Sequence, residues 1–305
     1  MSVQATVVGL SEGPTLQPDA GARARRWAFP RSARLTIGLV IVGFFVLMAV
    51  VGPYLVGNPL TFHTAMLHAP TTRFLLGTTQ LGQDVFAQLV VGSRGTLEVG
   101  FLAAAVATVV SIVVGIGGGY VGGRVDELMS LVSNVFLVIP SLPLVIVVSA
   151  YVHSTSLLPL ILVIALTSWA ASARVLRAQT LSVRNREYVL AARASGEKVW
   201  RIVIVEIMPN ELAIIASQLL FSVIFAILTA ASLAFLGLGN INSVSWGSML
   251  YFAQNDEALS SGAWWWFVPP GLCIALLGAG LALINFGLDE VVNPRLHTAT
   301  RRRAR

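Results

Sequence analysis

Six long apolar runs are the feature that most restricts how this chain can fold. They lie near residues 35–55, 97–121, 127–151, 156–176, 211–238 and 265–288. An α-helix of about 20 residues crosses the roughly 30 Å hydrocarbon core of a bilayer, and each run has that length. Only 11% of the residues are charged, against about 25% in soluble domains. The sequence therefore predicts an all-α integral membrane protein with six transmembrane helices.

The basic residues predict which side of the membrane each loop occupies. Of the twenty Lys and Arg residues, eighteen fall on the side where six spans place both termini. They lie in residues 1–34, at Arg124, in residues 174–201 and in residues 295–305, whereas Arg73 and Arg94 lie on the other side. Lys and Arg are enriched in cytoplasmic loops, so we expect both termini and residues 184–210 in the cytoplasm. Such clusters of Lys and Arg indicate how the chain is oriented in the membrane, and they do not support nucleic-acid binding.

Motifs of enzymes and metal sites are missing from the sequence. There is no nucleotide-binding G-x-x-x-x-G-K-[ST] motif, and the single lysine, Lys198, follows Glu197. The histidines do not show metal-ligand spacing; they are His63, His68, His153 and His297. We therefore expect no catalytic site, no metal and no cofactor bound by this chain.

The apolar runs contain few ionisable residues. Glu98 and Glu211 fall near the ends of spans, where water or snorkelling can satisfy them. No series of Asp, Glu, His or Arg forms an intramembrane relay. This argues against a stand-alone carrier driven by protons or ions.

Residues 184–210 form the longest charged segment between two apolar runs. Each charge at the centre of a membrane helix costs roughly 2.5–3.5 kcal/mol, so this segment is expected in water or against a partner. Glu187 to Ala194 is predicted to be a short helix, because an acidic residue opens it and good helix formers follow. Gly196 is placed to end that helix, and Pro209 to mark the start of the fifth span.

Spacing within this segment points to a known family. Leu190-Ala191-Ala192 is followed after three residues by Gly196, and Met208-Pro209 comes later. This order resembles the coupling segment of permease subunits from ABC importers. The pattern of that segment begins with Glu-Ala-Ala, three residues and Gly. After nine more residues it ends with an aliphatic residue, any residue, Leu and Pro. Leu190 replaces the acidic residue of the pattern, and Glu187 lies one helical turn earlier.

Further stretches, in an order that covers residues 33 to 296, resemble the dipeptide, oligopeptide and nickel branch of that family and its second, C-type permease. They are Leu76-Gly77-Thr78 with Gly82 and Asp84; Gly119-Tyr120, Gly122-Gly123 and Asp126-Glu127; residues 232–239; Ser245-Trp246-Gly247; and Asn293-Pro294-Arg295-Leu296. Thr79 and Gln83 depart from the Asp and Arg that are usual there.

The resemblance implies the fold of a type I ABC importer permease and a division of labour. A homologous second permease would complete the pathway, two ATP-binding cassette subunits would bind ATP and Mg, and an extracytoplasmic binding protein would deliver substrate. Coupling to the ATPases falls on Glu187, Leu190, Ala191, Ala192, Arg193, Gly196 and Pro209. For the pathway lining, the candidates are Pro140, Ser141, Pro143, Ser222, Thr229 and Ser232.

The expected organisation has four parts. They are a disordered cytoplasmic tail at 1–30, a first span with an extracytoplasmic segment at 31–92, a five-helix permease core at 93–293 with its coupling loop at 177–208, and a basic cytoplasmic tail at 294–305. The location implied is the cytoplasmic membrane of a prokaryote.

Several functions stay open at the level of the sequence. Di- or oligopeptides are the leading substrates, with nickel chelates and oligosaccharides as alternatives. From other classes, a stand-alone carrier or channel and a membrane-anchored scaffold compete with the importer permease.

Overall fold

The computed structural model of the chain describes residues 32–151, 156–238 and 243–292. In these residues the fold is helical, and we number nine helices in chain order. They are α1 (Ala33–Leu55), α2 (Val85–Val121), α3 (Gly123–Val138), α4 (Ser141–Tyr151), α5 (Leu157–Val183), α6 (Glu187–Ala194), α7 (Val199–Phe235), α8 (Trp246–Asn255) and α9 (Trp264–Val292). The tails expected at 1–30 and 294–305 lie outside the described residues.

Five of these helices, α1, α2, α5, α7 and α9, are long and apolar enough to cross a bilayer. The run at 127–151 is divided between α3 and α4, which meet the same criterion only as a pair bent by 86°. Ile139 has an extended backbone, with φ −73° and ψ 123°, and precedes Pro140. A proline ring clashes with a helical residue before it, which explains the break. The chain therefore has five unbroken candidate spans and one bent pair among its described residues.

Both α2 and α7 are longer than the apolar runs that predicted them, at 37 residues each. The apolar run predicted near 97–121 is preceded by residues 85–96, which form the first turns of α2. The fifth span was expected to start near residue 211, but α7 begins at Val199. At 1.5 Å per residue, each helix is about 55 Å long and exceeds the roughly 30 Å hydrocarbon core. Its polar end therefore extends beyond the apolar layer.

The residues between α1 and α2 fold into a loop that rests on α9. Gly77 and Gly82 have φ of 69° and 73°, and a Cβ on either would collide with a backbone carbonyl of His68 or His63. The Trp265 indole N–H donates to the Thr78 carbonyl at 3.3 Å. Asp84 caps α2, because its carboxylate accepts from the Phe86 N–H at 2.8 Å. This geometry accounts for the Gly, Thr and Asp positions noted in the sequence.

The short helix α8 is fixed to α2 through Trp246, whose side chain is fully buried. Its indole N–H donates to the Leu89 carbonyl at 2.9 Å, and its backbone N–H donates to the Thr96 hydroxyl at 3.1 Å. Ser245 and Ser248 form a capping box at the start of α8. The Ser-Trp-Gly stretch is therefore a structural junction between two helices.

Small residues let α1 pack closely along α9. A Cβ at Gly38 would lie 2.7 Å from the Gly280 carbonyl oxygen, whereas a Cβ at Gly43 would have no atom within 4 Å. The two glycines sit in the same helix and differ only in what faces them.

We predict that Gly38→Ala lowers the free energy of unfolding by about 1–3 kcal/mol, because it overpacks the α1–α9 contact. Gly43→Ala is the matched control and should be neutral or slightly stabilising, since alanine is the better helix former. Denaturation of the detergent-solubilised chain measures both values. Equal stability of the two variants would contradict the close approach at Gly38.

Candidate functional site

The helix α6 forms on the residues predicted for it and ends at the predicted glycine. Gly196 has φ +76°, its N–H donates to the Arg193 carbonyl at 3.1 Å, and the Glu197 N–H donates to the Ala192 carbonyl at 3.2 Å. These two bonds make a Schellman motif, which satisfies carbonyls that the last turn leaves open. Only a residue tolerant of the left-handed region fits at this position.

One face of α6 is packed into the protein. Val189 is fully buried and contacts an apolar cluster made by the ends of α2, α5 and α7. Ala192 is half-buried and packs against the same cluster. The cluster core is Ile116, Tyr120, Leu176, Val183, Val189, Ile202, Ile207 and Ile215. The short helix is therefore packed against three long ones.

The other face of α6 is open to solvent. Leu190 is 45% exposed, and Glu187, Ala191 and Arg193 are also exposed. Of the two alanines in the Leu-Ala-Ala stretch, only Ala191 is on this open face. A partner would thus meet Leu190 and Ala191, whereas Ala192 belongs to the packing beneath.

Pro209 lies inside a continuous helix and does not begin it. The stretch Ile202–Ile207 immediately before it is π-helical, and α7 continues through Met208 to Phe235. Proline removes one backbone hydrogen bond and crowds the preceding turn, and a π-helical turn can absorb both effects. The helix that contains the fifth span therefore begins before Pro209, at Val199, and its regular α-helical part begins at Met208.

Two arginines hold the surroundings of α6 together. The Arg184 guanidinium donates from Nη1 to the Gly119 carbonyl at 2.9 Å. The Arg193 guanidinium carbon lies 5.3 Å from the centre of the Tyr120 ring, which is within the range of a cation–π contact. Both therefore attach the segment to the last turn of α2.

Glu211 is fully buried next to this segment. The Thr180 hydroxyl donates to the two carboxyl oxygens of Glu211 at 3.0 and 3.2 Å. Among the described residues, Thr180 is the side chain that is hydrogen-bonded to this carboxyl group. The sequence had suggested water or snorkelling for Glu211; the fold instead buries its side chain between α5 and α7.

The candidates for the pathway lining divide into two groups. Pro140, Ser141 and Ser222 line one cleft of about 520 Å³ between α3, α4, α5 and α7. Pro143, Thr229 and Ser232 are absent from its walls: Pro143 is exposed elsewhere, Thr229 is buried, and the Ser232 hydroxyl donates to the Leu228 carbonyl at 2.7 Å. The structure thus brings together three of the six.

Sequence reasoning missed the polar residues that α5 and α7 add to this cleft. They are Thr167, Ser168, Ser172 and Gln218. The adjacent Thr167-Ser168 pair inside an apolar run was the available signal, although hydroxyls inside membrane helices also bond the preceding turn. Here Ser168 does so, donating to the Ile164 carbonyl at 2.8 Å. The cleft walls are polar in places but carry no charged side chain.

Comparison with known proteins now decides the family. Residues 107–298 match the family described as the binding-protein-dependent transport system inner membrane component. The chain belongs to this family. It is therefore a permease component of a multi-pass membrane transport system.

Curated relatives cover most of the chain. The dipeptide transport system permease protein DppC of Bacillus subtilis (strain 168) is 33% identical over 264 residues, which are 85% of this chain and 81% of the relative. The oligopeptide transport system permease protein OppC of the same organism is 33% identical over 272 residues, 87% of each chain. The di/tripeptide transport system permease protein DppC of Pseudomonas aeruginosa (strain UCBPP-PA14) is 33% identical over 234 residues, 76% of each.

We predict that Gly196→Val frays α6, because a β-branched residue in the left-handed region costs about 1–2 kcal/mol. Gly196→Asn is the matched control, since asparagine tolerates this conformation better. Hydrogen exchange of the α6 amides should speed up in the valine variant and much less in the asparagine variant. Equal protection in both would contradict the role assigned to the glycine.

Thr180→Val is expected to lower the free energy of unfolding by about 1–3 kcal/mol, because it leaves Glu211 buried without its hydroxyl partner. Replacing both groups, as in Thr180→Val with Glu211→Leu, should recover part of that loss. Denaturation of the solubilised chain tests the pair. A double variant no more stable than the single one would show that the two side chains are not coupled.

Proposed function

We propose that this chain is the C-type permease subunit of an ATP-driven importer for di- or oligopeptides, forming half of its translocation pathway. The observation that carries the proposal is α6, a short helix fixed to three long helices on one face and open on the other. Such a helix can pass the movement of a docked partner into the membrane helices. Membership of the transport family supports this role.

In this proposal the chain crosses the membrane six times, and the α3–α4 pair is one broken span. Both termini and α6 then lie in the cytoplasm, as the distribution of Lys and Arg favours. The membrane is the cytoplasmic membrane of a prokaryote, in keeping with the bacterial relatives.

The catalytic work belongs to partner subunits. Two ATP-binding cassette subunits bind ATP and Mg, a homologous second permease supplies the other half of the pathway, and an extracytoplasmic binding protein delivers the substrate. This chain itself binds no cofactor, which agrees with the absence of a nucleotide-binding motif from its sequence.

The residues of α6 then take two kinds of role. Glu187, Leu190, Ala191 and Arg193 are exposed and contact the ATPase, whereas Ala192 packs beneath. Gly196 sets the end of the helix, and Pro209 sets the geometry of the stretch that joins the segment to α7.

Peptides are the proposed substrates for two reasons. The relatives are named as dipeptide, oligopeptide and di/tripeptide permeases. The cleft of about 520 Å³ has a volume typical of small-molecule sites, and hydroxyl and amide groups in its wall can meet a peptide backbone of any sequence. Pro140, Ser141 and Ser222 are the proposed lining residues. Nickel chelates or oligosaccharides, carried by the same architecture, are the alternatives that an uptake assay distinguishes.

The test is uptake by the complete transporter. We predict that Ala191→Arg reduces ATP-driven uptake of a labelled dipeptide roughly tenfold or more, since a misplaced charge in the contact costs at least about 1.4 kcal/mol. Ser182→Arg is the control, because Ser182 is exposed nearby but lies outside α6.

Membrane vesicles that contain the binding protein, both permeases and both ATPases are used for the assay. Normal uptake by the Ala191→Arg transporter would refute the coupling role of α6. Failure of the unaltered chain to co-purify with ATPase subunits would refute the importer itself and favour a carrier or scaffold.

A further inference from the structure

A second cleft, of about 540 Å³, lies beside α6. It is distinct from the cleft lined by Pro140, Ser141 and Ser222, which we call the pathway cleft. The second cleft is formed by the end of α2, the turn into α3 and the segment from Arg184 to Ile202. Its polar lining residues are Arg184, Asn185, Arg193 and Glu197. We call it the arginine cleft.

The two guanidinium groups of the arginine cleft are held in place by neighbouring residues. Arg184 is hydrogen-bonded to the carbonyl of Gly119, and Arg193 stacks over the ring of Tyr120. Because Gly119 and Tyr120 are consecutive, both positive groups attach to the same helical turn. Their positions are thus set before any ligand arrives.

Most of the hydrogen-bonding capacity of these groups is unused. The Arg184 guanidinium uses one of its N–H groups to bind the Gly119 carbonyl, and the Arg193 guanidinium makes no hydrogen bond to a described residue. A guanidinium carries five N–H donors in a fixed fork, which suits a carboxylate or a phosphate.

The carboxylates nearby do not neutralise the pair. Glu197 lines the cleft, but both of its oxygens accept from Arg201 Nη1 at 2.7 Å. Asp126 is bound on both oxygens by Arg177, at 2.5 and 2.8 Å. Asp126 is still close enough to Arg184 to interact with it electrostatically. Among the described residues, however, no carboxylate forms an ion pair with Arg184 or Arg193.

The position of Leu190 links this charge to the open face of α6. Residues three apart lie side by side on a helix, so Leu190 and Arg193 are neighbours. An acidic residue at position 190, which the coupling pattern contains, would stand beside Arg193 and offset its charge. With leucine at position 190, the same face of α6 presents an apolar side chain next to the Arg193 guanidinium.

We propose that an acidic side chain of the partner ATPase inserts into the arginine cleft and pairs with Arg184 and Arg193. The proposal rests on the proposed function, in which the ATPase covers the exposed face of α6. A subunit that covers Leu190 also reaches Arg193, and a carboxylate there supplies the acceptors that the guanidinium groups lack. The ATPase that recognises this chain consequently carries an acid where it meets α6.

Cross-linking tests the contact directly, because Lys198 is the single lysine of the chain. In the double variant Arg193→Lys, Lys198→Arg, the introduced amine is the only side-chain amine and stands in the cleft. A zero-length carbodiimide reagent joins an amine to a carboxylate in contact with it, with loss of water. We expect mass spectrometry of the complete transporter to show an amide bond between position 193 and an Asp or Glu of the ATPase.

The unaltered chain, whose lysine at 198 lies outside the cleft, is the matched control and should give much less cross-linking to the ATPase, through Lys198. Cross-links from position 193 solely to acids of the permease itself would overturn the proposal.

Retention of the ATPase provides a second measurement. Arg193→Gln should weaken binding of the ATPase to the permease pair by roughly tenfold or more, the size of one charge-assisted hydrogen-bonded pair. Arg186→Gln makes the same charge change at an exposed residue outside the cleft and should have a much smaller effect. Salt screens exposed charges more than buried ones. Added salt should therefore reduce the difference in ATPase binding between the two variants only if the ion pair at Arg193 stays exposed to solvent in the complex.

The outcomes separate this proposal from the function beneath it. If the ATPase is retained equally by the unaltered chain and by Arg193→Gln, the acidic contact is refuted while the importer stands. If inorganic phosphate or vesicles of anionic lipid bind through Arg193 and no ATPase cross-link forms, the cleft is an anion site and the proposal fails. If the ATPase never binds the unaltered chain, the proposed function fails first.

Discussion

The burial of Val189 among the ends of α2, α5 and α7 fixes the direction in which α6 projects. A two-turn helix is too short to be stable alone in water, so its form depends on this apolar contact. The same contact decides that Leu190 and Ala191 face outwards and that Ala192 faces inwards. Every role discussed for the segment, including the arginine cleft, follows from that orientation.

The long helices α2 and α7 connect the contact at Val189 to the membrane-spanning part of the chain. Both α2 and α7 run for 37 residues from the membrane region into the segment around α6, and each contains a π-helical stretch close to it. Ile116, Ile202 and Ile207, which come from these stretches, belong to the cluster that holds Val189. In the proposed coupling role, a displacement of α6 would act on two long helices at the point where their hydrogen bonding departs from the α pattern.

The two clefts differ in a way that matches their proposed tasks. The pathway cleft offers hydroxyl, amide and apolar groups without charge, which suits the brief passage of varied molecules. The arginine cleft has two fixed cations, which suits a lasting contact with one partner. Fixed charge gives specificity to an interface because a wrong partner leaves it desolvated and unpaired.

The sequence by itself determined the class of the protein, the number of apolar runs, the helix from Glu187 to Ala194 and its end at Gly196. The apolar runs depend on local composition and length, and the end of the helix depends on the backbone freedom of one glycine. The residues of the short helix predict where it forms, although its stability depends on the contact at Val189. The spacing of Leu190-Ala191-Ala192, Gly196 and Pro209, together with the further motifs in order from residue 33 to 296, likewise indicated the family.

Only the tertiary structure decided what the remaining residues do. The burial of Glu211 against Thr180 depends on α5 and α7 lying beside one another. The same holds for Thr229, which shares a helix with Ser222 but lies outside the cleft. Local sequence specifies a helix face, whereas the neighbour that covers this face comes from residues far away in the chain.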